Sequence, residues 1–295
     1  MYVPIVKPRE LFVELRGLRH RLLQWGPTDD SAGCPAWVLV HGFQDTADTF
    51  QFLVDALPRH WRFTAIDLRG FGGSDATHGP YWFPDYLADF DVLLEFLSPH
   101  APTHLIGHSL GGNVVSMYAG IRPERVQRLV SLEGFGLRRV PATRAPQQYA
   151  EWLRQLRAPP RAGYYESVGH LAAKLLQRNP RLTEARAQFI ARAWTRDRDD
   201  GTVELRFDPW HRLVNPILYR REEAEACWRN VTAPALLVLA EQSEYLARLR
   251  ADGDAAELEH SFPATTLVSL PELGHMMHHE DPAAVAAAIV AWSAT

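Results

Sequence analysis

Short apolar runs alternate with longer amphipathic segments along most of the chain. Several of the runs are continuous, which predicts strands buried on both faces of a sheet. They are residues 36–40, 63–68, 103–107, 128–132, 235–240 and 265–270. Residues 12–16 and 19–24 flank Gly17 and predict an antiparallel pair at the edge of the sheet.

The segments between the runs carry helical patterns. Residues 83–97 place apolar side chains at three- and four-residue spacing, which predicts one buried helix face. Residues 113–121 are small and apolar, and Pro282 opens an Ala-rich segment that extends to Trp292. This alternation predicts an α/β fold, a mostly parallel central sheet flanked by helices.

The alternation is interrupted between Leu137 and Asn230, where helical patterns dominate. We interpret this stretch as a helical cap insertion folded over the ends of the sheet. The sequence therefore predicts a core formed by residues 1–136 and 231–295, with a helical cap of residues 137–230.

Composition and charge narrow the class of protein. The 295 residues include 31 basic and 35 acidic side chains, a formal net charge of −4, without a block of like charge. This balance argues against nucleic acid or membrane as a partner. No segment approaches the ~20 apolar residues that span a bilayer, and Pro4, Lys7 and Pro8 break the apolar run that a signal peptide needs. We expect a soluble, cytoplasmic protein with a small-molecule partner, and its oligomeric state is left open.

The segment GHSLGG at residues 107–112 follows a predicted buried strand and opens a predicted helix. This is the G-x-S-x-G pattern in the strand–turn–helix context that a nucleophile elbow requires. Such a turn holds Ser109 in a strained, exposed position, and Gly107 and Gly111 leave room for the neighbouring backbone. The segment therefore predicts Ser109 as a nucleophile at the carboxyl edge of the sheet.

Four segments, taken in order along the chain, resemble the motifs of the α/β-hydrolase family. They are VLVHGF at 38–43, DLRGFGGSD at 67–75, GHSLGG at 107–112, and LGH at 273–275 followed by EDP at 280–282. The resemblance covers nearly the whole chain outside the insertion, whose residues 175–193 and 213–228 look like the serine hydrolase-like subgroup. It implies the α/β-hydrolase fold with a helical cap.

The resemblance also implies roles for single residues. Ser109 is the nucleophile, His275 is the general base, and the backbone N–H groups of Phe43 and Leu110 form the oxyanion hole. His275 has local support as well, because it follows the last predicted strand and Gly274, where a loop can reach the carboxyl edge of the sheet.

Other histidines lie near these positions. We expect His41 to brace the oxyanion loop by hydrogen bonds, and His108, whose side chain points away from the nucleophile, to be a packing residue. A metal site formed by His275, His278 and His279 lacks both a convincing carboxylate partner and a suitable ligand geometry, so we expect no metal.

The third member of a catalytic triad should be a carboxylate that accepts a hydrogen bond from the histidine. Most of the family carries Asp at a position that here falls on Ser243, so the usual acid is missing. Glu133 follows the predicted strand 128–132, where some family members, including a group of haloalkane dehalogenases, place their acid. Glu244 lies one residue past the usual position, and Glu241 would need a different loop path. We assign Glu133 as the acid, with Glu244 as the alternative.

These residues predict a serine hydrolase that cleaves carboxylic ester or related acyl bonds through an acyl-enzyme on Ser109, without a cofactor. Aromatic residues of the predicted cap suit a small apolar or aromatic substrate. One alternative is a C–C bond hydrolase or a cofactor-free oxygenase in which His275 deprotonates the substrate directly. Another is a non-catalytic binding protein that kept the fold and lost its acid.

Overall fold

The computed structural model of the protein describes residues 2–27, 36–253, 258 and 262–294. Its strands are β1 (Arg9–Leu15), β2 (Leu18–Trp25), β3 (Ala36–Val40), β4 (Arg62–Ile66), β5 (Thr103–His108), β6 (Val126–Leu132), β7 (Tyr164–Tyr165), β8 (Thr195–Asp197), β9 (Val203–Leu205), β10 (Ala235–Ala240) and β11 (Thr265–Leu270).

Its α-helices are α1 (Gln51–Ala56), α2 (Phe83–Leu97), α3 (Leu110–Ile121), α4 (Ala145–Arg157), α5 (Val168–Arg178), α6 (Glu184–Ala193), α7 (Arg221–Trp228), α8 (Glu244–Ala251), α9 (Met277–Glu280) and α10 (Pro282–Ser293).

A central sheet of eight strands has the order β1-β2-β4-β3-β5-β6-β10-β11. All neighbours from β4 to β11 are parallel, whereas β2 runs antiparallel to both β1 and β4. The predicted strands are all present, and their ends differ from the predicted ones by at most three residues. The carboxyl ends of β3, β5, β6 and β10 therefore meet at one edge of the sheet.

The sheet is buried on both faces because alternate residues of its strands enter different cores. On β3, Val38 and Val40 pack with α2, α3 and α7, whereas Trp37 and Leu39 pack with α1 and α10. Burying apolar side chains on both faces stabilises the sheet by roughly 25 cal/mol for each Å² removed from water. The parallel arrangement predicted from the continuous apolar runs is confirmed.

The segment between β6 and β10 contains helices and a small sheet. Helices α5 and α6 pack through Leu171, Ala172, Ala187 and Ala191. Strands β7, β9 and β8 form a three-stranded antiparallel sheet beside them. This sheet was not predicted, because strands of two or three residues are too short to show a period along the sequence.

Helix α7 falls within the predicted cap range 137–230 but contacts the central sheet layer. It packs against α3, and Trp228 is fully buried in the core that α3 forms with the sheet. The division into residues 1–136, 137–230 and 231–295 stays a prediction. None of the helices in the described part of the chain combines the length and apolar character that crossing a bilayer requires.

Candidate active site

Ser109 occupies a sharp turn between β5 and α3. Its backbone has φ 51° and ψ −113°, a conformation that non-glycine residues rarely adopt and that costs about 1–3 kcal/mol. The Ser109 N–H donates to the carbonyl of Leu132 at 2.9 Å, and the Ser109 carbonyl accepts from the N–H of Asn113 at 2.9 Å. The turn is thus held by β6 on one side and by the first turn of α3 on the other.

The glycines on either side of Ser109 allow close backbone contact. A Cβ on Gly107 would collide with the carbonyl of Gly111, and a Cβ on Gly111 would collide with the carbonyl of Val40. Both positions therefore require glycine, as the strand–turn–helix pattern predicts.

His275 lies on the loop after β11, and its ring is held by Glu133. The Nδ1 atom of His275 lies 2.6 Å from Oε2 of Glu133. The side chain of Glu133 is fully buried, whereas the side chain of His275 is 19% exposed to solvent. Because the carboxylate accepts the proton on Nδ1, Nε2 of His275 is the ring nitrogen that remains available to accept a proton.

Glu133 is positioned by the end of β6 and by β10. Its backbone is in the left-handed region, with φ 54°, and its N–H donates to the carbonyl of Val238 at 3.1 Å. Its Oε1 atom accepts from the N–H of Ala240 at 3.1 Å. Its Oε2 atom accepts from the hydroxyl of Ser243 at 2.6 Å in addition to His275. These hydrogen bonds hold the Glu133 carboxylate in one orientation.

The structure does not bring the alternative acids to His275. Glu244 begins α8, where its exposed carboxylate pairs with Arg248 at 2.7 Å. Glu241 pairs with Arg250 at 2.5 Å. Of the three candidate carboxylates, Glu133 alone hydrogen-bonds to His275.

The loop after β3 lies beside the nucleophile. A Cβ on Gly42 would lie 3.2 Å from the Cβ of Ser109, which shows how closely the two backbones approach. His41 fixes this loop, because its Nδ1 lies 2.7 Å from the carbonyl of Gly42 and its Nε2 accepts from the N–H of Leu68 at 3.0 Å. His41 therefore braces the loop as expected.

The carbonyl of Gly42 and the N–H of Phe43 belong to one planar, trans peptide, so they point in opposite directions. By holding that carbonyl, His41 also sets the direction of the Phe43 N–H. Leu110 is the first residue of α3, where a backbone N–H has no acceptor within the helix. These are the two N–H groups predicted to form an oxyanion hole, and that role stays a prediction.

His108 is buried beneath the elbow and contacts the loop of His275. Its Nε2 lies 2.8 Å from the carbonyl of His275, so this nitrogen carries the proton. Burial, with a smaller contribution from His278 and His275, holds the pKa of His108 well below its ordinary value. His108 is thus a neutral residue that packs behind the site and supports the backbone of His275.

Sequence reasoning did not identify Asp45 as a neighbour of the paired histidines. Asp45, His278 and His279 are all buried, and Oδ2 of Asp45 lies 3.5 Å from Nε2 of His278 and 3.2 Å from Nε2 of His279. Asp45 follows β3 and the histidines follow His275, so the chain separates them widely. No local pattern could have revealed this contact.

Glu280 and Tyr245 were also missed. The Glu280 carboxylate accepts from the N–H of Gly274 at 2.6 Å and from the amide of Asn179 at 2.7 Å, and so links the loop of His275 to the segment after α5.

The ring of Tyr245 lies 4.4 Å from the ring of His275 and is 45% exposed. An aromatic residue at the start of a helix after β10 is the only signal that the sequence offers for this contact.

Two half-exposed aromatic rings belong to segments that carry or contact the candidate residues. Phe43 is 46% exposed next to Gly42, and Tyr245 lies over His275. A separate cleft of about 900 Å³, lined in part by Trp37, Trp61 and His104, lies at the amino ends of the strands. That cleft is on the opposite edge of the sheet from Ser109.

Comparisons with known proteins agree with this arrangement. The sequence profile of the alpha/beta hydrolase fold matches residues 35–282. A serine hydrolase-like protein of Danio rerio is 31% identical over 283 residues, which cover 90% of this chain and 82% of that protein.

Solved structures show the same fold. A hypothetical protein of Pseudomonas aeruginosa PAO1 is 28% identical, with a TM-score of 0.83 over 97% of this chain and 98% of that one. A thioesterase domain from the curacin biosynthetic pathway is 24% identical, with a TM-score of 0.80 over 96% of this chain and 99% of that one.

Proposed function

The chain belongs to the alpha/beta hydrolase fold family, and from this premise we propose that it is a serine hydrolase that cleaves carboxylic ester or related acyl bonds. The observation that carries the proposal is the 2.6 Å hydrogen bond between His275 Nδ1 and Glu133 Oε2, at the sheet edge where Ser109 stands. In this reaction Ser109 is the nucleophile, His275 the general base and Glu133 the acid that orients the base.

The reaction proceeds in two halves. Ser109 Oγ attacks the acyl carbon while Nε2 of His275 takes the hydroxyl proton, and the resulting oxyanion is held by the N–H groups of Phe43 and Leu110. His275 then returns the proton to the leaving alcohol or thiol. Water attacks the acyl-enzyme through the same base, which releases the acid and restores Ser109.

A free serine hydroxyl is a weak nucleophile at neutral pH, so Ser109 needs a general base. That base, His275, in turn needs a carboxylate hydrogen-bonded to its ring. The buried Glu133 stabilises the imidazolium that forms when His275 takes the proton. The non-catalytic alternative rested on the missing Asp at position 243, and Glu133 offers a carboxylate in its place. This supports an active hydrolase over a binding protein.

The substrate proposed is a small molecule with an apolar or aromatic acyl or alcohol group. The half-exposed rings of Phe43, next to Gly42, and of Tyr245, in contact with His275, support this, because they present apolar surface near the candidate residues. Burying such a group against aromatic side chains gives binding energy without a charged partner.

The test is steady-state and pre-steady-state hydrolysis of p-nitrophenyl acetate, butyrate and benzoate by the wild type and by Ser109→Ala. We expect a burst of p-nitrophenol in the wild type, at least a 10³-fold loss of kcat in Ser109→Ala, and a higher kcat/KM for the apolar esters. Hydrolysis that persists in Ser109→Ala would contradict the acyl-enzyme and favour direct proton abstraction by His275.

The substrate class has its own control. Tyr245→Ala should lower kcat/KM for the benzoate more than for the acetate, whereas Phe96→Ala, at an exposed aromatic position on α2, should leave both unchanged. Equal effects of Tyr245→Ala on the two esters would argue against an apolar contact at this ring.

A further inference from the structure

Asp45, His278 and His279 form a buried cluster behind the candidate active site, which we call the Asp45 cluster. Asp45 and His279 are each 1% exposed and His278 is fully buried. One ligand-type atom from each residue lies within 4.8 Å of the corresponding atoms of the other two. Ser109 and His275 are not members of this cluster.

The two oxygens of Asp45 have different surroundings. Oδ1 accepts three hydrogen bonds of 2.8 Å each, from the N–H of Thr46, the hydroxyl of Thr49 and the indole N–H of Trp194. Among the described residues, Oδ2 makes no hydrogen bond and faces only His278 and His279. The carboxylate is thus held in one orientation, with one free oxygen directed at two imidazoles.

The imidazoles also carry ring nitrogens that make no hydrogen bond to the described residues. In the described ranges, Nε2 of His279 and both ring nitrogens of His278 are buried without a hydrogen-bond partner. A buried polar atom without a partner costs roughly 1–3 kcal/mol, and a buried carboxylate needs a compensating positive charge. The ion-pair partners found for Asp45 among these residues are the two histidines, since no arginine or lysine faces it.

We propose that Asp45, His278 and His279 bind one divalent transition-metal ion, with Zn²⁺ as the best-fitting cation. Zn²⁺ takes imidazole nitrogen and carboxylate oxygen at about 2.0–2.2 Å in a tetrahedral arrangement, which separates its ligand atoms by about 3.3 Å. The observed separations from Oδ2 to the two Nε2 atoms are 3.5 and 3.2 Å. Asp45 is therefore spaced from each imidazole as a tetrahedral ion requires, and the ligand atoms of the two histidines lie within 4.8 Å of each other.

The donor set selects among cations. Two imidazoles with one carboxylate suit Zn²⁺ and its neighbours in the first transition series, whereas Ca²⁺ and Mg²⁺ prefer oxygen ligands. The three donors on Oδ1 have the role of the outer hydrogen bonds that orient a ligating carboxylate. The sequence predicts no metal on His275, His278 and His279, because it offers neither a convincing carboxylate partner nor a suitable ligand geometry. In the structure Asp45 supplies a carboxylate for His278 and His279.

The ion would connect two loops that carry the proposed chemistry. Asp45 lies three residues after Gly42 in the loop beside Ser109, and His278 lies three residues after His275. The His108 ring lies 4.3 Å from the ring of His278 and 4.8 Å from that of His275. A bound ion would therefore brace both loops from behind, as a structural metal outside the reacting site.

The test measures metal binding directly, without relying on activity. The purified protein is stripped with a chelator, and Zn²⁺ is titrated back in competition with a chromophoric chelator. The stoichiometry is checked by elemental mass spectrometry. We expect one Zn²⁺ per chain, and we expect Co²⁺ in the same site to give the intense visible absorption of a tetrahedral complex.

Variants then locate the ion. His279→Gln and Asp45→Asn should each weaken binding by at least 100-fold, whereas His100→Gln, at an exposed histidine after α2, should bind as the wild type does. His275→Ala should also retain the ion. The Co²⁺ spectrum of the wild type is an independent measurement that does not require a cluster variant to fold.

Two results would overturn the proposal. One is a wild type that binds no stoichiometric Zn²⁺ and gives only the weak spectrum of octahedral Co²⁺. The other is binding that survives in His279→Gln and disappears in His275→Ala, which would place the ion on the base of the proposed triad. Neither result bears on whether Ser109 is an active nucleophile.

Discussion

The hydroxyl of Ser243 donates a 2.6 Å hydrogen bond to Oε2 of Glu133. The same oxygen accepts from Nδ1 of His275 at 2.6 Å. Ser243 stands after β10, where most of the family places its acid, and Glu133 reaches the same point from the end of the adjacent strand β6. In this chain the carboxylate that contacts His275 thus comes from the neighbouring strand, and the hydroxyl of Ser243 donates to it.

The first prediction concerns this acid. Glu133→Gln removes the charge that stabilises the imidazolium of His275, so kcat for an activated ester should fall on the order of 10⁴-fold. Glu244→Gln, which only loses an exposed pair with Arg248, should keep the wild-type rate. Steady-state kinetics with a circular-dichroism check of folding measure both. The opposite ranking of the two variants would transfer the role to Glu244.

The second prediction returns the acid to the position that is usual in the family. In Glu133→Gln/Ser243→Asp a carboxylate at position 243 faces His275 from β10, because the side chain of Ser243 already reaches the same oxygen. The double variant should turn over at least 10-fold faster than Glu133→Gln. A folded double variant that is no faster than the single one would show that position 243 cannot serve the base.

Ser243→Asp alone provides the matched control. It places two carboxylates within contact, and like charges at that distance raise one pKa and destabilise the folded state. We expect a lower unfolding midpoint in urea than that of the wild type, with the difference largely removed in the double variant.

The third prediction concerns His41. His41→Leu removes the hydrogen bond to the Gly42 carbonyl and frees the Phe43 peptide, so kcat should fall about 10–100-fold while KM changes little. This loss is smaller than the 10²–10³-fold loss on deleting an oxyanion donor outright. His41→Asn, whose amide can still donate to that carbonyl, should recover much of the rate. A loss in KM alone would assign His41 to substrate binding instead.

The fourth prediction concerns stability against pH. Burial lowers the pKa of His104 to about 4 and that of His211 to about 3, so both stay neutral in the folded chain. An unfolded histidine titrates near 6.5. Between pH 6.5 and 4 the unfolded chain therefore binds protons that the folded chain does not, and the free energy of unfolding falls as the pH is lowered, by about 2 kcal/mol for each such histidine at pH 5.

Urea unfolding at pH 7 and pH 5 checks this. His104→Phe keeps the aromatic stack on Trp37, whose ring lies 4.7 Å away, and removes one titrating group. Its loss of stability between the two pH values should be about 2 kcal/mol smaller than that of the wild type, while His100→Gln should behave as the wild type. An unchanged pH dependence in His104→Phe would show that His104 titrates normally.

Much of this arrangement follows from local sequence pattern. The strands, α2 and the glycines around Ser109 are predictable because burial on both faces and a tight turn each restrict the residues allowed at a position. The small sheet β7-β9-β8 is not predictable in this way, because its strands are shorter than any period they could display.

Contacts between segments that are far apart along the chain are the second kind of feature that the sequence does not predict. Glu133 could be considered because it follows a predicted strand, after which some members of the family place their acid, and its contact with Ser243 depends on β6 lying next to β10. Asp45 gave no signal at all, since its meeting with His278 and His279 requires the loop after β3 to lie against α9. Such pairings depend on the order of strands in the sheet, which a single sequence does not specify.

The most direct test of the central claim is intact-mass spectrometry after treatment with a fluorophosphonate. An activated serine displaces fluoride and gains one phosphonyl group. We expect a single adduct on the wild type, none on Ser109→Ala, and labelling of Glu133→Gln that is slower by orders of magnitude. A well-folded wild type that forms no adduct, or an adduct that remains in Ser109→Ala, would contradict the assignment of Ser109 as the nucleophile.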